Sequence, residues 1–103
     1  MLLYNVTSKV DHSVHAAWLS WMEKAYLPAV METNTVAGYT LTRLLNVDDT
    51  DGPTYALLLQ FANRPTFKIY ETEHAPGNEQ AIRRKWGNGV LSFASTLDVV
   101  LRG

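Results

Sequence analysis

Phe67, Tyr70 and His74 recur at i, i+3 and i+7, the spacing that places side chains on one face of a helix. A neutral imidazole at the end of such a face can serve as base, hydrogen-bond donor or axial metal ligand. The same ring can instead cap the helix before Pro76, donating to its last carbonyls. Tyr70 offers a phenol to a carbonyl or phenol oxygen, and Phe67 an apolar wall. Asn5 interrupts an otherwise apolar run. A buried amide left without partners costs about 1–3 kcal/mol, so Asn5 either orients a ligand oxygen or bonds a nearby loop. Arg43 and Gln60 break apolar stretches in the same way. A guanidinium inside a barrel recognises a carboxylate or enolate, whereas at the rim it pairs with an acid such as Asp98. The expected site is therefore His74, Tyr70 and Asn5 as catalytic groups, with Arg43, Gln60 and Phe67 against the substrate.

Other constellations carry less. His12 and His15 stand i, i+3 at the start of a helix, but two histidines without a third fixed ligand read as solvated residues rather than a zinc site, and no metal is expected. Arg83, Arg84 and Lys85 precede Trp86, a basic cluster with an aromatic that could grip single-stranded nucleic acid. Ferredoxin-like RNA binders carry paired aromatics in a Lys/Arg-Gly-Phe/Tyr motif, which this chain lacks, so a solvated helix face anchored by Trp86 is expected and nucleic acid is not. There is no Gly-rich phosphate loop and no Gly-x-Ser-x-Gly elbow, which disfavours nucleotide-dependent enzymes and hydrolases.

The elements that must position these residues follow from periodicity. Leu2 to Lys9 alternates as a strand. From Val14 the period becomes helical, with Val14, Trp18, Trp21, Met22, Ala25 and Ala29 on one arc. Asp11 or Ser13 can cap the first turn. Pro28 predicts a kink, and Leu27 and Met31 fall near the polar side, as a partner surface would. Gly38 to Val47 and Thr54 to Asn63 read as antiparallel strands joined through "DDTDGP". A second helix carries Phe67 to His74, is interrupted at Pro76–Gly77, and resumes as a short helix capped by Asn78. A last strand spans "VLSFASTLDVVL", Val90 to Leu101. The order β-α-β-β-α-β predicts an α+β, ferredoxin-like domain over residues 1–103: a four-stranded antiparallel sheet with both helices on one face.

That arrangement leaves the other face open, yet the third strand is apolar on both sides, and the fourth puts Leu91, Phe93 and Leu97 on one side. Exposing them all exceeds the roughly 400 Å² of contiguous apolar surface that a soluble protein tolerates. A homodimer, sheet face to sheet face about a two-fold axis, is the simplest cover. Composition agrees with a packed soluble chain: 103 residues, 47% hydrophobic, 18% charged, a formal charge of −1 and no cysteine. The near-neutral balance gives no field for nucleic acid or an anionic membrane. The missing cysteines exclude disulfides and thiol nucleophiles. No run approaches the ~20 apolar residues of a membrane span, so a cytoplasmic protein is expected.

"YNVT", "WLSWM", "LPAVM", "RLLNVDDTDGPTYALLLQF", "YETEHAP" and "WGNGVLSF" together resemble a small bacterial family, a domain of unknown function in the dimeric α+β barrel superfamily. Where that pattern has His before the Leu/Ile-Pro, this chain has Tyr26. The resemblance implies the fold and the dimer. The wider superfamily includes cofactor-free antibiotic-biosynthesis-type monooxygenases, small-ring isomerases, haem-degrading enzymes and ligand-sensing domains. In the haem-degrading members a first-strand Asn, a second-helix aromatic and a later His form the site, and Asn5, Tyr70 and His74 occupy comparable places. The expectation is a small-molecule-binding homodimer with an apolar or aromatic ligand and no cofactor, acting as a cofactor-independent monooxygenase or isomerase. The alternatives are a non-catalytic ligand-binding or protein-interaction module, using Leu27/Met31 or residues 83–85, and a haem protein.

Overall fold

A computed structural model describes residues 1–103. Strands β1 (Leu2–Val10), β2 (Gly38–Arg43), β3 (Thr54–Phe61) and β4 (Val90–Asp98) form one antiparallel sheet in the order β2-β3-β1-β4. Two helical segments cover one face, giving the ferredoxin-like arrangement. On β1 and β3 alternate residues turn to the helices, so Leu2, Tyr4, Val6, Tyr55, Leu57, Leu59 and Phe61 enter the core while Leu3, Asn5, Leu58 and Gln60 face the other way. Aromatic contacts knit this core: the Phe61 ring lies 5.2 Å from Phe67 and 5.3 Å from Tyr70, and Trp18 lies 4.9 Å from Tyr55.

The first helical segment consists of α1 (His15–Trp21), a wide π turn over Met22–Tyr26, and α2 (Leu27–Glu32). The π turn ends two residues before Pro28. Proline has no amide to donate and its ring crowds the carbonyl four residues back; the wider turn lets the Leu27 amide reach the Met22 carbonyl instead and keeps the axis running. A π turn also adds residues to one turn, which rotates everything after it. The buried face therefore passes from Trp18 and Met22 to Tyr26, Leu27 and Val30, not to Ala25 and Ala29, which are exposed. This corrects the reading of Leu27 and Met31 as a partner surface: Leu27 is buried and Met31 packs against the core. No side chain caps α1; Asp11 accepts from the Ser13 amide and hydroxyl in the turn before it.

The second segment repeats the device. It runs through α3 (Arg64–Ile69), a π turn over Tyr70–His74 and α4 (Ala75–Trp86), with Pro76 two residues past the π turn. The expected interruption at Pro76–Gly77 does not occur, because the π turn absorbs the missing amide upstream. Asn63, not Asn78, is the capping residue, accepting from the Thr66 amide at 2.9 Å. Gly87, at φ 53°, ends α4 in a left-handed conformation that suits glycine.

The outer strands end earlier than expected. β2 stops at Arg43, and residues 44–47 are exposed loop. In the β2–β3 connection Gly52 is required: a Cβ there would sit 1.8 Å from the Val10 carbonyl oxygen. β4 ends at Asp98. Val90 alone of its residues is buried and the rest are exposed. No helix is long and apolar enough to cross a membrane.

Candidate functional site

The helices lie over β1 and β3 and leave β4 bare, so a cleft of about 530 Å³ opens between α4 and the helix-side surface of β1 and β4. Its size falls within the range of small-molecule sites. Apolar side chains such as Ile82, Val90 and Ala94 line it, and its polar groups are Tyr4, Tyr26, Tyr70, Glu79, Arg83, Asn88 and Ser92. Each tyrosine comes from a different element. Tyr4 is the middle of the buried register of β1, whereas Tyr26 and Tyr70 sit in the two π turns, where the widened backbone aims them inward.

Hydrogen bonding organises these groups. The Tyr4 hydroxyl donates to Glu79 Oε1 at 2.6 Å, a short contact of the kind made to an ionised acceptor. Asn78 Nδ2 donates to the Tyr70 hydroxyl at 3.1 Å. That leaves the Tyr70 proton available for a ligand oxygen, because a phenol both donates and accepts. Burial raises the Tyr4 pKa well above the usual phenol range, and the bond and charge of Glu79 push it the same way. Burial also raises Tyr26, with repulsion from the neighbouring Tyr70 second. Tyr70 is raised by burial, against the opposing effect of the Asn78 bond. At neutral pH the cleft thus presents three neutral phenols.

The residues expected to form the site do not meet. Tyr70 lines the cleft and Phe67 packs behind it, its ring 6.1 Å from Tyr4. His74 is half-buried with its ring 6.2 Å from that of Tyr70, but it does not line the cleft and makes no side-chain hydrogen bond. Asn5 and Gln60 belong to the opposite face of the sheet, so they cannot share a ligand with Tyr70 in one subunit. Asn5 Nδ2 donates to Thr7 Oγ1 at 3.1 Å and Ser95 Oγ at 3.4 Å, and its buried Oδ1 has no partner. Arg43 lies on the far edge strand and pairs with Asp49 at 3.5 Å; Asp98 pairs with Arg64 instead, at 3.6 Å. His12 Nε2 bonds the Asp49 carbonyl at 3.0 Å and His15 Nε2 the Tyr55 hydroxyl at 2.7 Å, which draws the two rings to different partners.

Sequence reasoning missed Tyr4, Tyr26, Glu79 and Arg83. Tyr4 had a signal, being a polar-tipped aromatic in the buried register of a central strand. Glu79 had none, since its meeting with β1 depends on the second helix continuing past Pro76, and Arg83 was read only as part of a solvated basic helix face.

The chain resembles several solved structures in fold. A dimeric ferredoxin-like protein from an uncultured marine organism superposes with a TM-score of 0.68 at 14% identity, over 99% of this chain and 97% of that one. HapK from Hahella chejuensis gives 0.70 at 15% identity, over 100% and 96%. A protein from Deinococcus radiodurans assigned as an antibiotic biosynthesis monooxygenase gives 0.64 at 15% identity, over 99% and 95%. At these identities the likeness establishes the fold alone. No curated protein matches the sequence. Residues 1–100 match one family, described as Domain of unknown function (DUF4286), and the chain belongs to it.

Proposed function

We propose that the chain is a cytoplasmic homodimer that binds a small ring compound in the α4–β4 cleft and carries out proton-transfer chemistry on it, as an isomerase does. The observation that carries this reading is the Tyr4–Glu79 contact of 2.6 Å at a cleft that also holds the neutral Tyr70 phenol. A carboxylate at such a site can take a proton from carbon or oxygen next to a carbonyl. A phenol whose acceptor side is filled by Asn78 can donate to that carbonyl as negative charge develops on it. Tyr4 holds the carboxylate in place through its 2.6 Å bond. Proton removal is also the first demand of cofactor-independent oxygenation of an activated ring, and nothing in the cleft distinguishes a site for dioxygen, so the isomerase reading is preferred.

The haem reading with His74 as axial ligand is not favoured by the cleft, because His74 does not line it. The dimer is supported by the bare apolar row of Leu91, Phe93 and Leu97 on the open face, since large apolar side chains exposed side by side mark interaction surfaces. It is also in keeping with structural neighbours described as dimeric.

The test is proton exchange. In D2O, the protein accelerates deuterium incorporation into the carbon next to the carbonyl of a small cyclic monoketone, whose uncatalysed exchange at neutral pH is slow, followed by NMR. Glu79→Gln slows this by roughly 10²- to 10⁴-fold, and Tyr70→Phe by less. Equal rates in wild type and Glu79→Gln would remove the catalytic role.

A further inference from the structure

Glu79 and Arg83 stand four residues apart on α4 with the acid first, the favourable order for an ion pair along a helix. The pair does not form. Glu79 turns to the sheet and accepts from Tyr4, while the surface ion pairs that do form join Lys9 to Asp51, Arg43 to Asp49, Arg64 to Asp98 and Lys68 to Glu71. Arg83 has neither an ion pair nor a hydrogen bond, and it lines the cleft.

The cations beside it differ. Arg83, Arg84 and Lys85 all occupy the last turn of α4, where positive charge complements the helix dipole. Lys85 lies over the Trp86 ring, 5.3 Å from its centroid, and Arg84 does not reach the cleft. Among the groups lining the cleft, Glu79 is the one acid and it is already held by Tyr4. The phenols are neutral, which leaves Arg83 as the unpaired charge. A free guanidinium beside an apolar floor recognises a planar anion, two N–H groups meeting two oxygens.

We infer that Arg83 anchors a carboxylate, and that the ligand is a small ring acid carrying a carbonyl or hydroxyl oxygen for Tyr70. The inference rests on the small-molecule reading above and adds the ligand's charge. Tyr4 becomes a positioning residue: by holding Glu79 away, it keeps Arg83 free.

The experiment is an NMR titration of the whole protein with benzoate, 2-hydroxybenzoate and 2-naphthoate, and with the matched primary amides, following the backbone amides of Ile82, Val90, Ser92 and Ala94. The acids bind about tenfold more tightly than the amides. Arg83→Gln weakens the acids far more than the amides and so removes that preference, and Arg84→Gln leaves it intact. Tyr4→Phe releases Glu79 to pair with Arg83, and the acids alone weaken. Equal binding of acids and amides, or an acid preference that survives Arg83→Gln, overturns the inference and leaves the small-molecule reading standing. No movement of the cleft amides with either series overturns both.

Discussion

On the helix-covered face of the sheet Leu57, Leu59 and Phe61 are 3%, 0% and 0% exposed, whereas on the open face Leu91, Phe93 and Leu97 are 61%, 67% and 43% exposed. The residue types on the two faces are alike, so apolar character does not decide which face becomes the core of one chain. Cover decides it. The polar residues divide with the faces: Tyr4 and Tyr70 join the cleft side, and Asn5 and Gln60 the open side. In the proposed reading the covered face borders the ligand cleft and the open face meets a second copy, with Leu91 and Phe93 of β4 at the rim where the two adjoin.

Substitutions of matched type break this comparison most sharply. Phe61→Ala removes a fully buried ring that packs on Phe67 and Tyr70, and stability falls by about 3–5 kcal/mol in chemical denaturation. Phe93→Asp leaves the fold of the single chain intact, because the side chain is exposed there, but puts an unpaired charge into the proposed dimer interface. Its dimer dissociation constant rises roughly a hundredfold or more, read by sedimentation at several protein concentrations.

Smaller effects sharpen the contrast. Tyr4→Phe loses the bond to Glu79 and costs about 1 kcal/mol of stability, with the dimer unaffected; a weakened dimer would mean that the two faces are coupled. The smallest effect is one of pH. Burial lowers the His15 pKa below its ordinary value of 6.5, and the Arg43 and His12 charges add to this. The unfolded chain then binds more protons than the folded one between the two values. Stability is fully present above 6.5 and declines as pH falls through the folded value. His15→Gln flattens that slope in thermal melts taken across the acid range.

The faces were legible in the sequence. The alternation in β1 and β3 placed Leu57, Leu59 and Phe61 together, and the double-sided apolar character of β3 and β4 pointed to a covered open face. The site was less legible, for a local reason. Two π turns, each two residues ahead of a proline, shift the helical register by an amount that 3.6-residue periodicity does not contain. The first carried Tyr26 and Leu27 into the core in place of Ala25 and Ala29. The second joined what read as two helices and brought Glu79 to Tyr4. A polar residue in a strand also reads the same from either side. Asn5 looked like a pocket residue because its alternation was clear, but the partner of that face was not.

Sedimentation equilibrium of the wild-type chain beside Phe93→Asp tests the division of the two faces most directly. The wild type is expected at twice its chain mass of 11.6 kDa at micromolar concentration, and Phe93→Asp at the single-chain mass with its fold retained. A wild type that sediments at 11.6 kDa would contradict the account, for the open face would then have no second copy to cover it.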